Sequence, residues 1–234
     1  MQNILFYIPQ TSPALSHAAA LLQKWGFSVT ALPCPEVTHV LLEVPTKRMS
    51  VPEQVPADVT VFGGNLGEGP YKTVDLLLDE EYLAKNAAIT AHCAAKIAMD
   101  QLPATLSGCK TLVIGWGRIG KCLAPLLKAL GAEVTIATRN AADRAILNAT
   151  GYEAVDTAAM DANKYRLIFN TAPAPVLDAD RAADNAVLID LASKKGISGD
   201  KVIWARGLPG KEAPESSGNL IAQTVIRYLG REHV

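Results

Sequence analysis

The sequence has no excess of charge of either sign and no long hydrophobic run. Its 22 Lys and Arg residues nearly balance its 23 Asp and Glu residues, which leaves a formal net charge of −1. This balance gives no electrostatic reason to expect binding to nucleic acid or to a lipid surface. No apolar segment approaches the roughly 20 residues of a transmembrane helix. We therefore expect neither a nucleic-acid partner nor an association with membranes.

Cysteine is also scarce, and its spacing argues against two common uses. The chain has Cys34, Cys93, Cys109 and Cys122, none of them in a C-x-x-C pair. The N-terminus lacks the basic start, apolar segment and small-residue cleavage site of a signal peptide. We therefore expect reduced cysteines in a cytoplasmic protein. No group of carboxylates and histidines has the spacing of a metal site, so we expect no metal.

What the sequence does contain is an alternation of short apolar strands with helical segments. This alternation predicts an α/β fold of parallel sheets covered on both faces. We expect two lobes joined by a helix, with a C-terminal helix that packs back. The boundaries are 1–85 for a small N-terminal α/β domain, 86–105 for the connecting helix, 106–215 for a doubly wound parallel sheet and 216–234 for the last helix. Thr90 is the predicted N-cap of the connecting helix, and the segment 72–80 is predicted to be helical.

Three glycines follow the apolar strand "TLVI" at the start of an amphipathic helix. Gly115, Gly117 and Gly120 form the pattern G-x-G-x-x-G. The first allows a tight turn, the second lets the backbone approach a pyrophosphate, and the third lets helix and strand pack closely. Arg118 and Ile119 begin the helix, whose free N–H groups attract phosphates. The second lobe is therefore predicted to be a Rossmann-type domain that binds a dinucleotide.

The end of the next strand predicts which dinucleotide is bound. NAD-binding domains place an acidic residue there to pair with the ribose 2′-hydroxyl. This chain instead has Thr138, Arg139 and Asn140, with no carboxylate to repel a phosphate. The Arg139 guanidinium can bond the 2′-phosphate of NADP. NADP is therefore the expected cofactor. A second cofactor-binding loop is predicted after the fourth strand of this domain, at Asn170, Thr171, Ala172 and Pro173.

Candidate catalytic residues are few. His92 falls in the predicted first turn of the connecting helix, where the helix dipole favours a neutral imidazole that can exchange protons. Asp190 follows the fifth strand, a position at which a buried carboxylate more often braces loops than performs catalysis, and Ser193 lies in the same loop. The other histidines, His17, His39 and His233, are poorer candidates because of their positions in the chain.

Several segments together resemble one known family. The segments "GWGRIG", "ATRN", "NTAPAPVL", "IDLASKKG" and "GLPGKEAPESSG", in this order and spacing, are similar to the first of the two subunits of dipicolinate synthase. The segment "NAAITAHCAA" resembles that family's lead-in to the cofactor domain. The resemblance covers about residues 86–222. The first 85 residues resemble the family only in their general α/β pattern.

The resemblance implies an NADP-dependent oxidoreductase of spore formation. Such an enzyme oxidises a dihydrodipicolinate-type ring to the pyridine dicarboxylate, together with the flavoprotein-like second subunit of dipicolinate synthase. A small dicarboxylate substrate needs cations or helix N-termini around it. Two loops offer them, with Lys194 and Lys195 in one and, in the other, Arg206, Gly207, Leu208, Pro209, Gly210 and Lys211. We also expect a homo-oligomer.

Departures from the family's pattern leave two other functions open. His92 stands where the family tends to carry a glutamate, and the segment "KKGI" and Arg206 also differ on the substrate side. One alternative is an NADP-dependent dehydrogenase of another small carboxylic acid. A D-2-hydroxyacid dehydrogenase is disfavoured because residues 193–232 contain no histidine. The other is a non-catalytic protein that senses NADP(H), since no proton-transfer group is obvious.

Overall fold

The computed structural model describes residues 4–230, which divide into two compact units. One unit contains the described residues of Met1–Asn86 and Pro209–Val234, and the other contains Ala87–Leu208. His233 and the ends of the first and last expected segments lie outside the described residues. Within residues 4–230, no helix is both long enough and apolar enough to cross a bilayer. The four cysteines, all in the described range, are free thiols.

Five parallel strands form the sheet of the first unit. They are β1 Leu5–Tyr7, β2 Ser28–Thr30, β3 His39–Leu41, β4 Thr60–Gly63 and β5 Lys72–Asp75. Their spatial order is β2-β1-β3-β4-β5, which is the order of flavodoxin-like sheets. One face buries a cluster of apolar side chains that includes Val40, Leu42 and Val61.

Two helices of this unit pack against each other, α1 Pro13–Lys24 and α6 Pro214–Tyr228. Helix α1 begins at Ser12, whose hydroxyl accepts a hydrogen bond from the Leu15 N–H, and Pro13 suits the first helical turn. Gly218 allows the close approach of α6, because a Cβ there would meet the Ala14 carbonyl oxygen. The predicted C-terminal helix therefore packs onto the N-terminal part of the chain.

The predicted helix over 72–80 was wrong. Lys72–Asp75 is a strand that pairs in parallel with β4, and Leu76–Leu78 forms a single 3-10 turn. The Asp75 carboxylate ends the strand by accepting hydrogen bonds from the N–H groups of Leu66 (2.9 Å) and Leu77 (2.8 Å). A short apolar run such as this one suits a strand and a helix equally well.

The connecting helix, α2 Glu80–Gln101, begins earlier than predicted. The Asp79 carboxylate accepts a hydrogen bond of 2.7 Å from the Tyr82 N–H, and Glu80 and Glu81 lie in the first turn. Thr90 is therefore a buried residue within the helix, and the prediction that it is the N-cap was wrong.

Six parallel strands form the sheet of the second unit. They are β6 Lys110–Ile114, β7 Glu133–Ala137, β8 Glu153–Val155, β9 Leu167–Asn170, β11 Val187–Asp190 and β13 Val202–Trp204. The spatial order β8-β7-β6-β9-β11-β13 is the 3-2-1-4-5-6 order of Rossmann domains. The predicted α/β class and the Rossmann-type sheet are therefore confirmed.

Short elements complete this unit. Helices α3 Arg118–Ala129 and α4 Ala141–Ala149 follow β6 and β7, as predicted from their periodicity. A two-stranded sheet of β10 Leu177–Asp178 and β12 Ile197–Ser198 was not predicted, because two residues carry no periodic signal. Helix α5 Leu208–Glu212 follows β13 and, from Pro209 on, belongs to the first unit. Leu112, Ile168 and Leu188 belong to the buried core on one face of the sheet.

Candidate functional site

A cavity of about 390 Å³ lies at the carboxyl ends of four strands of the six-stranded sheet, β6, β7, β8 and β9. Strands β6 and β9 are neighbours, but the chain runs from β6 outward to β8 before it returns to β9. Open α/β sheets bind ligands at such a switch point. The lining residues are Ile114, Gly115, Trp116, Gly117, Ala137, Thr138, Arg139, Asn140, Thr157, Thr171, Ala172, Pro173, Ala174, Pro175 and Val176.

The turn after β6 is held in place by its neighbours. The Gly115 N–H donates to the Ala137 carbonyl at 2.8 Å, and the Thr171 hydroxyl donates to the Ile114 carbonyl at 3.0 Å. Gly115 has φ +100°, and a Cβ there would lie 2.6 Å from the Thr171 Oγ1. Only glycine meets both requirements at this position.

The other two glycines have different surroundings. A Cβ at Gly120 would collide with the Gly115 carbonyl oxygen, so this glycine lets α3 start close to the turn. A Cβ at Gly117 would meet no atom within 4 Å, because Gly117 faces open space in the cavity. Gly117 is also the N-cap of α3, and as a glycine it has no side chain with which to cap this end of the helix. Arg118 and Ile119 belong to the first turn of α3 and do not line the cavity.

The loop after β7 brings three expected residues to the cavity. Thr138 is buried, and its N–H donates to the Val155 carbonyl at 3.1 Å. Asn140 caps α4, because its side-chain oxygen accepts hydrogen bonds from the Ala142 and Asp143 N–H groups. Arg139 is exposed, and within residues 4–230 its guanidinium has no hydrogen-bond partner. This free cation is available to an anionic ligand.

Trp116 and Thr157 are among the lining residues that sequence reasoning missed. Trp116 stands between the first two glycines, and its ring centroid lies 6.2 Å from that of Tyr152. An aromatic residue inside a glycine turn was a signal that could have been used. Thr157 follows β8, which was not predicted as a strand, so its position at the same sheet edge gave no signal.

Asn170 and Asp190 do not line this cavity, because both are fully buried beneath its loops. One carboxylate oxygen of Asp190 accepts hydrogen bonds from the Asn170 amide (3.1 Å) and the Ala192 N–H (3.0 Å). The other accepts from the N–H groups of Gly196 (2.7 Å) and Ile197 (2.8 Å). With four donors and no solvent exposure, the carboxylate braces loops. This geometry is that of a structural residue, and the catalytic role expected from the sequence stays a prediction.

The expected geometry of His92 was wrong. Because α2 begins at Glu80, His92 lies more than three turns into the helix and is exposed, so the dipole of the first turn does not act on it. Ser193 is exposed in the loop after β11. Neither residue lines the cavity that Gly115 and Arg139 share.

Two of the loops expected on the substrate side meet. The Ala205 N–H donates to the Asp190 carbonyl at 2.8 Å, and the Trp204 indole N–H donates to the Ala192 carbonyl at 3.2 Å. The Arg206 guanidinium lies over the Trp204 ring, 5.2 Å from its centroid. Lys194 and Lys195 are exposed in the facing loop, where Lys195 donates to the Gly199 carbonyl at 3.1 Å.

The other residues expected on the substrate side are divided between the two units. Gly207 and Leu208 belong to the second unit, whereas Pro209, Gly210 and Lys211 lie in α5 on the chain that returns to the first. Within the part of the chain that the structure describes, no three His, Cys, Asp or Glu residues are grouped so that they could hold a metal ion.

Comparisons with known proteins agree with this geometry. Residues 111–197 match the family model of the saccharopine dehydrogenase NADP binding domain. This range contains the glycine turn, Arg139 and the Asp190 carboxylate. The match supports an oxidoreductase-like domain that binds a nicotinamide cofactor.

Longer matches extend beyond that domain. Over 198 residues the chain is 25% identical to the first dipicolinate synthase subunit of Bacillus subtilis (strain 168), an alignment that covers 76% of this chain and 67% of that protein. The chain resembles the first subunit of dipicolinate synthase. The crystal structure of that subunit from Bacillus halodurans superposes with a TM-score of 0.83 at 21% identity, covering 98% of this chain and 99% of the other.

A transhydrogenase structure from Sinorhizobium meliloti shares the fold, with a TM-score of 0.75 at 16% identity over 97% of this chain and 93% of the other. The resemblance inferred from the sequence motifs is thus confirmed.

Proposed function

We propose that the protein is an NADP-dependent oxidoreductase similar to the first subunit of dipicolinate synthase. The observation that carries the proposal is the cavity at the switch point of a 3-2-1-4-5-6 sheet, walled by the Gly115–Gly117 turn on one side and by Arg139 on another. The match of residues 111–197 to an NADP binding domain supports it.

The residues present fit a dinucleotide. The space in front of Gly117 and the uncapped N-terminus of α3 suit a pyrophosphate. The Arg139 guanidinium, which has no hydrogen-bond partner among the described residues, suits a 2′-phosphate, and none of the described residues that line the cavity is a carboxylate that would repel it. Pro173, Pro175 and Val176 give the opposite wall an apolar surface against which an adenine can lie.

A bound nicotinamide supplies hydride transfer. A dihydrodipicolinate-type ring would give one hydride to the bound nicotinamide and one proton to water, and would become aromatic. The chain's contribution is to hold the cofactor and to place the ring next to it. Lys194, Lys195 and Arg206, on loops that hydrogen bonds hold together, would bind the two carboxylates.

Spore formation, the flavoprotein-like second subunit of dipicolinate synthase and a homo-oligomer belong to the same proposal. They rest on the resemblance to the first dipicolinate synthase subunit, which is 25% identical to this chain. A sensor of NADP(H) without turnover is the second candidate. It is favoured by the cavity lining, since the described residues that form it include no carboxylate and no imidazole to transfer a proton.

Titration of the NADP-loaded protein with dipicolinate tests the substrate class. We expect heat of binding by calorimetry, and slower hydrogen exchange in residues 190–214, with or without a candidate flavoprotein-like partner. A dihydrodipicolinate-type substrate should raise the absorbance of reduced nicotinamide. If the cofactor binds but dipicolinate gives neither heat nor protection, the dicarboxylate proposal is overturned. Binding of dipicolinate without any change in absorbance, even with the flavoprotein-like partner present, would favour the sensor.

A further inference from the structure

Arg144 contacts the two loops that form the Arg139 side of the cavity, one after β7 and one after β8. Its Nη1 atom donates to the carbonyl oxygen of Thr138 at 2.7 Å and to that of Arg139 at 2.8 Å. The same atom lies 2.8 Å from the Asp156 carboxylate. Arg144 itself stands in the second turn of α4 and does not line the cavity.

These contacts join two cavity walls through one side chain. Thr138 and Arg139 form the loop after β7, and Asp156 precedes Thr157, a lining residue after β8. The two loops share one other hydrogen bond in the described structure, from the Thr138 N–H to the Val155 carbonyl at 3.1 Å. Because the Arg139 side chain is exposed and has no hydrogen-bond partner among the described residues, the backbone is the part of the residue that the fold holds in place.

We infer that Arg144 is the positioning residue of the 2′-phosphate site, and that it sets the preference for NADP over NAD by holding the Arg139 backbone. The inference rests on the proposed function, in which Arg139 binds the 2′-phosphate. All three contacts are made by one nitrogen of the planar guanidinium, Nη1, at the far end of the Arg144 side chain. A lysine ammonium carries the same charge on a shorter and more flexible stem, so it does not hold a donor at that point.

The effect is specific because the cofactors differ only at the 2′-position. Loosening of the Arg139 loop weakens a contact that NADPH makes and NADH lacks. The affinity for NADPH should therefore fall and that for NADH should not. A merely structural role of Arg144 would weaken the binding of both cofactors alike.

The test measures dissociation constants of NADPH and NADH by calorimetry for the unmutated protein, Arg144→Ala, Arg139→Ala and the double variant. We expect Arg144→Ala to reduce the NADPH/NADH affinity ratio by about tenfold, which corresponds to about 1.4 kcal/mol. In the Arg139→Ala background the same substitution should leave the ratio unchanged, since Arg144 acts through Arg139. An unchanged ratio for Arg144→Ala, or an equal reduction in both backgrounds, overturns the inference.

Further variants separate geometry from charge. Arg144→Lys should lower the ratio even though it keeps the positive charge, and a ratio equal to that of the unmutated protein would overturn the positioning role. This variant also serves if Arg144→Ala does not fold. Asp156→Asn should have a smaller effect, because both carbonyl contacts remain. Lys201→Ala, which removes an exposed charge before β13 at the amino end of the sheet, should change nothing.

Cofactor affinities of the unmutated protein show whether the proposed NADP preference or only the role of Arg144 is wrong. If it binds NADPH and NADH equally, the NADP preference is wrong and the role of Arg144 is wrong with it. If it prefers NADPH but Arg144→Ala keeps that preference in a folded protein, the role of Arg144 alone is overturned.

Discussion

The side-chain amide of Asn170 donates a hydrogen bond of 3.1 Å to the carboxylate of Asp190, and neither residue has any exposure to solvent. The pair joins the ends of the adjacent strands β9 and β11. The Asn170 amide also donates to the Ala172 carbonyl at 3.0 Å, within the loop that forms one wall of the cavity. The shape of that wall therefore depends on a buried carboxylate that does not line the cavity.

Asp190→Asn should destabilise the second unit. Whichever way the new amide turns, its NH₂ group faces two of the N–H donors that the carboxylate satisfied. Each buried donor left without a partner costs about 1–3 kcal/mol. We expect a lower midpoint in urea unfolding and weaker binding of both NADPH and NADH. Asp178→Asn is the matched control, since Asp178 is exposed and asparagine caps a turn equally well. Unchanged stability with lost turnover would instead support a catalytic role for Asp190.

Arg139→Ala tests the choice of cofactor. The unmutated protein should bind NADPH more tightly than NADH, because the guanidinium is free to meet a 2′-phosphate. Loss of one charge-assisted partner is worth about 1.5–3 kcal/mol, or roughly one to two decades in affinity. The substitution should remove most of the difference between the cofactors, as measured by calorimetric titration. Equal affinities before mutation would show that Arg139 is only a surface residue.

Gly117→Val and Gly120→Ala should differ in their effects on cofactor binding and on stability. At Gly117 the new side chain enters open space in the cavity, so the protein should stay folded and lose cofactor binding. At Gly120 even a methyl group meets the Gly115 carbonyl oxygen, so thermal stability should fall as well. Circular dichroism and cofactor titration separate the two outcomes. A Gly117→Val variant that binds cofactor normally would mean that the turn has only a packing role.

Neutralising both loop lysines tests the substrate side. Lys194→Ala combined with Lys195→Ala should raise KM more than it lowers kcat, if the lysines bind the carboxylates equally in the ground and transition states. Steady-state kinetics with a dihydrodipicolinate-type substrate measures this, with Lys201→Ala as a control for lost charge. A fall in kcat at constant KM would place the lysines at the reacting atoms.

Much of the second unit could be predicted because its signals are local. The glycine spacing, the apolar strands and the amphipathic helices are each visible within about 20 residues. The hydrogen bonds to Asp190 could be predicted from the sequence only in part, because their donors come from the distant Asn170 as well as from the loop through Ile197. Arg144 gave no signal at all, since its role depends on the direction of one side chain in the folded protein.

The first unit was harder to predict because its strands are only three or four residues long. The helix from Glu80 could have been found, since an aspartate followed by two glutamates is an N-terminal pattern. The alanine-rich run further along drew the prediction to Thr90 instead. That error moved His92 to a helix start, and the proposed catalytic role followed from it.

Asp79 links the start of α2 to the end of α6, and this contact should make stability depend on acid pH. Both carboxylate oxygens accept hydrogen bonds from the Arg227 guanidinium, at 2.8 and 2.9 Å. Burial tends to raise the pKa of Asp79, but hydrogen bonds from the Tyr82 N–H, Arg227 and Tyr228, with the charge of Arg227, lower it below its ordinary 3.8. The folded state therefore keeps Asp79 ionised at pH values at which the unfolded chain takes up a proton.

The pair should thus stabilise the fold fully above the ordinary pKa, and its contribution should be lost as the pH falls through the lowered one. Asp79→Asn should cost about 1.5–3 kcal/mol at pH 7, because it leaves a charged partner with weaker acceptors. Urea unfolding between pH 7 and pH 3 should show a smaller acid-dependent loss for Asp79→Asn than for the unmutated protein. Asp58→Asn, at an exposed carboxylate of the same unit, is the matched control. Parallel stability curves for Asp79→Asn and the unmutated protein would mean that Asp79 ionises alike in the folded and unfolded chain.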